Sequence, residues 1–340
     1  MPRPHIEHGQ DIRVLHSFKA PGSETTYAVQ MTEGAPPEVS TLYFSWTRAT
    51  LGRYDVLHLH WPEYLVRGKG RKDAALALVR MPLLFARLAV TRVAVVRTLH
   101  NVAPHEDGHF FERALLDRLD RRTDLAIRLN PVTDPAGTPV ETILHGHYID
   151  RFATHPKSEP ETGHLLYFGL VRRYKGIERL IEVFDRLPSG FTLRIVGRPN
   201  LPALRESIEH AVGRSPRMSA RLEFVPDAAL VAEIGRAELV VLPYKEMQNS
   251  GSLLVALSLG RPVLAPRSEV NESILSEVGP EWLHLYDGEL TEEVLLGAVD
   301  TVRAQAPTRA TTPRMLDRDW PAVGRRHYEA YLRALRIARG

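Results

Sequence analysis

The stretch Tyr167–Ile177, YFGLVRRYKGI, indicates more about the fold than any other part of this chain. An apolar strand runs into a glycine turn, and the first turn of the following helix carries Arg172, Arg173 and Lys175. Turns between a strand and a helix expose unpaired backbone N–H groups, and the helix dipole adds partial positive charge there. With these cations, the turn is suited to binding a diphosphate group.

A second stretch with the same order of elements is Leu242–Ala265, LPYKEMQNSGSLLVALSLGRPVLA. It contains a strand end, a glycine-containing loop and a helix, after which Gly260 and Pro262 lead into another strand. Two such loops in one half of a chain predict a nucleotide-diphosphate pocket at the carboxyl ends of parallel strands.

The composition is that of an ordinary globular protein with room for two domains. The chain has 340 residues, of which 44% are hydrophobic and 25% charged. We find no apolar run long enough to cross a membrane and no apolar signal-peptide core. The absence of cysteine excludes disulfides and thiolate metal sites and favours a cytoplasmic location. The net charge of +3 is a weak argument for a polyanionic partner, and no motif indicates nucleic-acid binding.

Short apolar or β-branched runs predict the strands of the first half, and longer periodic runs predict its helices. The predicted strands are Ile12–His16, Ser40–Ser45, Val56–His60, Val93–Leu99 and Leu125–Leu129. The predicted helices are Ala74–Ala89, with an interruption at Pro82, and Phe110–Arg122. Strands that alternate with helices indicate a parallel sheet covered by helices on both faces.

The polar segment Pro156–Gly163 is predicted to be an interdomain linker, after which the alternation starts again. The predicted strands are His164–Phe168, Thr192–Val196, Leu222–Val225, Leu239–Leu242, Pro262–Ala265 and a strand near Trp282–Tyr286. The predicted helices are Ile177–Leu187, Pro202–Val212, Ala228–Ala237, Ser252–Leu259 and Trp320–Ile337. We therefore expect an α/β protein of two doubly wound parallel-sheet domains that face each other across a cleft. The expected domains are residues 1–155, with residues 320–340 packing back on them, and residues 156–319.

At these motifs the chain resembles the GT-B glycosyltransferases, specifically the relatives of glycosyltransferase family 4. FGLVRRYKGIERLIEVF, from Phe168, is similar to the phosphate turn of that family, and SGSLLVALSLGRPVLA, from Ser250, is similar to its donor loop. DVLHLHWPE, RTLHNVAPHE and ILHGHY occupy the usual strand ends of the first half. The resemblance implies the GT-B fold with two Rossmann-like domains. It also implies transfer of a hexosyl group from a nucleotide-diphosphate sugar to a glycan or lipid-linked acceptor.

Three positions depart from the pattern of the family. Leu170 stands where the family has an arginine, and Arg172 is the candidate to replace it. Met247 and Val255 stand where the family has two glutamates, the second of which accepts from ribose hydroxyls. A branch with an SG loop in place of the glutamates is closer to this chain. The stereochemistry of transfer stays open, with retention slightly favoured over inversion.

The candidate donor-binding residues come from the two loops. They are Gly169, Arg172, Lys175, Tyr244, Glu246, Ser250, Gly251 and Ser252. The alternative is that the cations are solvated residues at a helix start, but cations there oppose the helix dipole, which favours phosphate contact. For Ser250 the alternative is an ordinary N-cap.

The candidate catalytic and acceptor-binding residues follow strands of the first half. By resemblance, His100 matches the histidine that contacts the donor sugar or the acceptor, although such a histidine can also simply hydrogen-bond its loop. Glu106 is the candidate base of an inverting enzyme, with a solvated carboxylate as the alternative. The candidate acceptor-binding residues are His60, Trp61, Glu63, His105 and His145.

We expect no metal site, because no predicted strand end carries an Asp-x-Asp pattern and the 15 histidines lack ligand spacing with carboxylates. No cofactor is expected either, since the nucleotide sugar is a substrate. GT-B enzymes generally use protein cations in place of a metal, which agrees with this.

The apolar, arginine-containing segment Ala74–Arg92 has two interpretations. It is either a core helix that runs into a strand, or a basic amphipathic face for an anionic membrane. The protein is expected in the cytoplasm, with peripheral contact at the inner face of the membrane as an open alternative. Two other functions stay open: a nucleotide-sugar epimerase or hydrolase, and a catalytically silent sugar-nucleotide binding protein.

Overall fold

The structure is a computed structural model with two compact units. It describes residues 10–20, 27–67, 71–100, 110–134, 137–245, 247, 249–306 and 312–340, with the backbone alone for residues 71–75 and 110. Unit 1 comprises Met1–Gly146 and Asp317–Gly340, and unit 2 comprises His147–Leu316. In the described part of the chain, no helix is both long and apolar enough to span a membrane.

Unit 1 contains a six-stranded parallel sheet with the order β2-β1-β3-β4-β5-β6. Its strands are β1 (Ile12–His16), β2 (Val39–Tyr43), β3 (Val56–Leu59), β4 (Ala94–Leu99), β5 (Leu125–Arg128) and β6 (Val140–Thr142). β3 is buried at every position, as expected for a parallel strand that is covered on both faces.

The helices of unit 1 cover both faces of this sheet. They are α1 (Tyr27–Glu33), α2 (Trp46–Leu51), α3 (Glu63–Arg67), α4 (Arg71–Val90), α5 (Phe110–Arg122) and the final helix of the chain, α13 (Trp320–Arg339). On one face, Val56 and Val96 pack with Tyr331 of α13. On the other face, Leu57 packs with Met81 of α4. Successive strand residues therefore supply two separate cores, because side chains alternate between the faces of a sheet.

Unit 2 contains a second six-stranded parallel sheet, with the order β12-β11-β10-β7-β8-β9. Its strands are β7 (His164–Phe168), β8 (Thr192–Val196), β9 (Met218–Arg221), β10 (Leu239–Val241), β11 (Val263–Pro266) and β12 (Leu283–Tyr286). Its helices are α6 (Ile149–Phe152), α7 (Ile177–Asp185), α8 (Pro202–Arg214), α9 (Asp227–Arg236), α10 (Gly251–Ser258), α11 (Glu269–Val278) and α12 (Glu292–Gln305). The prediction of an α/β protein with two parallel sheets is confirmed.

The predicted linker is an irregular segment that belongs to unit 2. Glu161 pairs with Arg236 at 2.7 Å, and Arg261 donates to the carbonyl of Ser158 at 3.1 Å. The amide of Gly163 donates to Glu238 at 2.6 Å. These contacts fix the segment to the amino-terminal ends of the central strands. The chain passes from unit 1 to unit 2 earlier, between Gly146 and His147.

Two local predictions were wrong. The strand predicted at Leu222–Val225 is β9, four residues earlier in the chain, and residues 222–225 form no strand. The predicted interruption of α4 at Pro82 does not occur. Pro82 lies on the exposed face of α4, where water can bond the carbonyl that a proline leaves unpaired, and buried Met81 and Leu84 anchor the helix on either side.

Candidate active site

The predicted phosphate turn begins at the carboxyl end of β7, where only glycine fits. Gly169 has a φ of +111°, and a β-carbon at this position would lie 2.6 Å from Oγ of Ser252. The amide of Gly169 donates to the carbonyl of Val196 at 2.9 Å, which fixes the turn to the end of β8. The glycine therefore lets the β7 turn approach the first turn of α10.

Lys175 lies at the end of a 3-10 turn, Arg173–Lys175, that leads into α7. Its Nζ donates to the hydroxyl of Tyr244 at 2.9 Å and lies 4.6 Å from the centre of the Tyr244 ring. A β-carbon on Gly169 would lie 3.6 Å from the same Nζ. The structure thus brings together four of the predicted donor-binding residues, Gly169, Lys175, Tyr244 and Ser252, although they lie far apart in the sequence.

Arg172 immediately precedes this 3-10 turn and is partly buried. Within the described part of the chain it makes no side-chain hydrogen bond or ion pair, so its guanidinium is available for an anion. Arg173, one residue further on, is exposed. Leu170, where the family has an arginine, is 48% exposed and supplies no charge.

The second predicted loop leads into α10, and Ser250 is its N-cap. Oγ of Ser250 accepts from the amide of Leu253 at 3.2 Å, so the capping interpretation describes what this hydroxyl does in the structure. Gly251 and Ser252 form the start of the helix, where backbone amides have no acceptor within the helix. Glu246, also predicted in this loop, lies outside the described residues.

The two apolar residues at the family's glutamate positions are part of the core of unit 2. Met247 and Val255 are 6% and 8% exposed. Nδ2 of Asn271 lies 3.3 Å from the sulfur of Met247. Neither side chain has an oxygen that could accept from a ribose hydroxyl, so these positions serve packing.

Sequence reasoning did not single out Tyr167, which lies in β7 beneath this turn. Its side chain is fully buried, and its hydroxyl has no hydrogen-bond partner within the described part of the chain. Burial, and to a lesser degree Tyr244 and Tyr174 nearby, raise the pKa of Tyr167 well above its usual range. An unpaired buried hydroxyl costs stability, which Tyr167→Phe would test.

In unit 1, the predicted residues His60, Trp61 and His100 lie together after β3 and β4. Nδ1 of His60 is 3.2 Å from Nε2 of His100. The ring of Trp61 stacks on His100 with a centroid distance of 4.0 Å, and its backbone has the left-handed φ of +45°. His60 is almost fully buried, whereas His100 is only partly so. Of these two histidines, His100 is therefore the one that a ligand can reach. Glu63 is partly buried at the start of α3.

His60 and His100 belong to a larger cluster of histidines that the sequence analysis did not detect. His16 pairs with His58 across β1 and β3, and Nδ1 of His16 lies 3.4 Å from Nε2 of His60. The two ring nitrogens of His58 lie 2.8 Å from the hydroxyls of Tyr331 and Thr98. The signal that could have revealed this cluster is the pair His58 and His60, which lie two residues apart at a strand end and so share one face of the sheet.

Burial keeps this cluster neutral. It lowers the pKa of His16 and His100 to about 3, and it holds the pKa of His58 and His60 well below the usual value. The neighbouring histidines lower these pKa values further, because two imidazolium groups would repel each other. At neutral pH these rings are therefore neutral hydrogen-bonding groups.

His16, His58 and His60 each have a ring nitrogen within 4.8 Å of those of the other two, a set that could hold a metal ion. The sequence spacing did not reveal this set, because β1 and β3 bring the three residues together. Both nitrogens of His58 already have hydroxyl partners. The absence of a metal site therefore stays a prediction.

His145 is buried between aromatic rings in unit 1. Its Nδ1 donates to the carbonyl of Gly146 at 2.8 Å, and the backbone carbonyl of His145 accepts from the Arg318 guanidinium at 2.9 Å. The ring of Tyr27 lies 5.0 Å away. Burial lowers the pKa of His145 to about 4. The remaining predicted residues, His105 and Glu106, lie outside the described residues.

Solved structures with a similar fold are glycosyltransferases and related enzymes. Anabaena HepE, in complex with UDP and glucose, has a TM-score of 0.59 and 14% identity, and the match covers 96% of this chain and 98% of that one. The catalytic domain of starch synthase IV from Arabidopsis thaliana, bound to ADP and acarbose, has a TM-score of 0.65 and 10% identity over 96% and 100% of the two chains. The two parallel α/β units therefore have the GT-B fold, as predicted.

Sequence comparisons place this chain more narrowly among the proteins that have the GT-B fold. Residues 162–290 match the family model for glycosyl transferases group 1. A GDP-mannose:glycolipid 4-β-D-mannosyltransferase of Xanthomonas campestris pv. campestris is 48% identical over 326 residues, which cover 95% of this chain and 93% of that protein. The chain belongs to the group 1 glycosyltransferase family. The predictions of a glycosyltransferase related to family 4 and of hexosyl transfer are confirmed.

Proposed function

We propose that this protein transfers a mannosyl group from GDP-mannose to a glycolipid acceptor in the biosynthesis of a polysaccharide or glycoconjugate. The observation that carries the proposal is the 48% identity to an enzyme of that name over 95% of this chain. The proposed donor-binding groups of unit 2 and the partly exposed His100 of unit 1 have side chains suited to such a reaction.

In this proposal, unit 2 binds the donor. The leaving diphosphate gains negative charge as the sugar departs, and stabilising that charge lowers the barrier to transfer. Lys175 retains two N–H donors after its bond to Tyr244, and the Arg172 guanidinium makes no hydrogen bond or ion pair with any described residue. The amides at the start of α10 add further donors. Because the protein supplies these cations, the proposed reaction is metal-independent and requires no cofactor.

His100 is proposed to hydrogen-bond a sugar hydroxyl rather than to act as the base. A histidine with a pKa of about 3 is a poor proton acceptor at neutral pH, since an effective base has a pKa near the working pH. Glu106 remains the proposed base. His60 and His145 are too buried to bind the acceptor through their rings, so we propose that His60 instead orients His100. Trp61 and Glu63, with His105, remain the proposed acceptor-binding residues.

The stereochemistry of transfer is part of the proposal. The sequence slightly favoured retention, but the name of the relative specifies a β-mannosyl product. Formation of a β-mannoside from a donor with an α-linked mannosyl group requires inversion. We therefore propose inversion for this chain. NMR of the anomeric proton and carbon of the product would decide between the two, and an α-mannoside would reinstate retention.

A glycolipid acceptor would place the reaction at a membrane surface. We propose a cytoplasmic protein in peripheral contact with the inner face of an anionic membrane. This location requires only a surface that binds lipid, because the acceptor itself is anchored by its lipid.

The direct test is transfer of radiolabelled mannose from GDP-mannose into a lipid extract that contains lipid-linked glycans. Lys175→Ala and Arg172→Ala should each lower kcat/KM for the donor by about 100-fold or more. Arg173→Ala, which removes an exposed arginine of the same turn, should leave transfer unchanged. Equal activity of all three variants would reject the assignment of the donor site.

The same assay separates the proposed function from its rivals. Release of free mannose or of an epimerised sugar nucleotide without acceptor would indicate a hydrolase or an epimerase. Calorimetric binding of GDP-mannose without turnover on any acceptor would indicate a silent binding protein. Transfer from a UDP-sugar in place of GDP-mannose would change only the proposed donor and would leave the proposed glycosyl transfer in place.

A further inference from the structure

One face of unit 1 exposes an unusual amount of apolar surface. Eight of the fourteen exposed large apolar side chains in the described part of the chain belong to helices α2, α3, α4 and α5. They are Leu51, Tyr64, Leu76, Leu78, Val79, Leu83, Val90 and Phe111. Helix α4 contacts both α2 and α3, and α3 contacts α5, so these helices form one surface. We call it the α2–α5 face.

The centre of this face is an apolar stripe along α4. Leu76, Val79, Leu83, Ala86 and Val90 follow one another at spacings of three and four residues and are all exposed. At this spacing they share one side of the helix over about 21 Å. The opposite side, which includes Met81, Leu84 and Leu88, is buried in the core of unit 1. Helix α4 is thus apolar on both sides, whereas the solvent side of a surface helix is normally polar.

Most of the exposed charged residues around the stripe are basic. No aspartate or glutamate occurs from residue 74 to residue 92. Exposed arginines lie on α2 and α5 and in the segments that follow α2 and α4, namely Arg48, Arg53, Arg92, Arg113, Arg118 and Arg121. The acidic residues of α3 and α5 are Glu63, Glu112, Asp117 and Asp120. Glu112 pairs with Arg67 at 2.6 Å, Asp120 pairs with Arg97, Glu63 lies near Arg97, and Asp117 is exposed.

We propose that the α2–α5 face binds the surface of an anionic bilayer, with α4 lying in the plane of the interface. The stripe would enter the boundary between head groups and acyl chains, and the arginines would pair with lipid phosphates. A second copy of the chain fits this face less well, because packing two α2–α5 faces together would bring arginine against arginine. The proposal rests on the proposed function in one respect, which is that a glycolipid acceptor requires the enzyme at a membrane.

Vesicle co-sedimentation of the full chain tests the proposal without any sugar donor. We expect binding to vesicles of phosphatidylcholine with phosphatidylglycerol, and much weaker binding to phosphatidylcholine alone or at high salt. Val79→Glu/Leu83→Glu should weaken binding about tenfold or more, because it places two charges in the centre of the stripe. Leu316→Glu, at an apolar side chain of unit 2 that is 75% exposed, is the matched control and should bind like the wild type.

Three results would overturn the proposal. The first is wild-type binding to neither type of vesicle, and the second is undiminished binding by Val79→Glu/Leu83→Glu. The third is a dimer in sedimentation velocity that this variant dissociates, since the face would then join two copies. All substituted positions are exposed, so circular dichroism should show unchanged folding.

Kinetics separate this proposal from the proposed function. With acceptor presented in vesicles, Val79→Glu/Leu83→Glu should raise the KM for acceptor by about tenfold. With a water-soluble short-chain acceptor, KM and kcat should stay unchanged. If GDP-mannose is not the donor, both acceptor assays fail for every variant while vesicle binding persists.

Discussion

The ammonium of Lys175 donates to the hydroxyl oxygen of Tyr244 at 2.9 Å and lies against the face of the same ring. This contact joins the two loops that the sequence singled out, since one residue follows β7 and the other follows β10. An ammonium carries three donors, so one is used to fix its position and two remain for a phosphate. The tyrosine therefore orients the cation without neutralising it.

Removing only the hydroxyl of Tyr244 should loosen Lys175 while keeping the ring in place. We expect Tyr244→Phe to raise the KM for the donor by about tenfold, the loss of one hydrogen bond to a charged group. Lys175→Ala removes the charge itself and should be far more damaging. In a Lys175→Ala background, Tyr244→Phe should have little further effect. Additive effects in this double-mutant cycle would contradict the coupling of the two side chains.

Gly169 should not tolerate a side chain. Alanine at this position would adopt an unfavourable φ and meet Oγ of Ser252, so we expect a loss of about 1–3 kcal/mol in the free energy of unfolding. Gly169→Ala/Ser252→Ala should recover the part of this loss that comes from the clash. Gly297→Ala is the control, since its helix position is open and alanine should stabilise it slightly. Urea unfolding measures all three, and a neutral Gly169→Ala would contradict the required backbone geometry.

Tyr167→Phe should leave the protein as stable as before or make it more stable. The hydroxyl of Tyr167 is buried without a partner in the described structure, so its removal relieves a cost of about 1–3 kcal/mol. Tyr331→Phe is the matched control, because the Tyr331 hydroxyl lies 2.8 Å from Nδ1 of His58. This control should lose about 1 kcal/mol in urea unfolding. Equal losses in the two variants would show that the Tyr167 hydroxyl has a partner.

The buried histidines should make the protein sensitive to mild acid. His327, a buried residue of α13, lies 5.9 Å from His58 between ring centres. Burial lowers the pKa of His16 and His100 to about 3 and of His145 and His327 to about 4. Between these values and the usual pKa of about 6.5, the unfolded chain binds protons that the folded chain does not. The stability is therefore fully present above about pH 6.5 and is lost as the pH falls through this window.

Each such histidine lowers the free energy of unfolding by up to about 1.4 kcal/mol per pH unit in this range. Urea titrations at neutral pH and near pH 5 should show the loss. His327→Gln keeps groups that can reach the carbonyl of Val323 and the hydroxyl of Tyr27 but takes up no proton, so it should reduce the slope. A free energy of unfolding that is independent of pH across this range would refute the neutral, buried state of these histidines.

Much of unit 2, including its candidate donor-binding loops, could be predicted from the sequence, because short stretches of residues specify these features. A buried strand such as HLLYF, a glycine with positive φ and a lysine before a helix are each recognisable within a few residues. The helices Glu269–Val278 and Glu292–Gln305 were not predicted, although Ser268 and Thr291 cap them. Strand β9 was placed four residues too late, because the apolar run Leu222–Val225 stood out more than MSAR.

The sequence by itself determined the alternation of strands and helices, the glycine turn and the cations that follow it. These depend on backbone preferences and on neighbours along the chain. Only the tertiary structure decided that His16, His58 and His60 meet, because strand register and not spacing brings β1 and β3 together. It likewise decided which side of α4 faces solvent. That helix has apolar residues on both its buried and its solvent side, so its periodicity does not identify the buried side, and only packing against the sheet does.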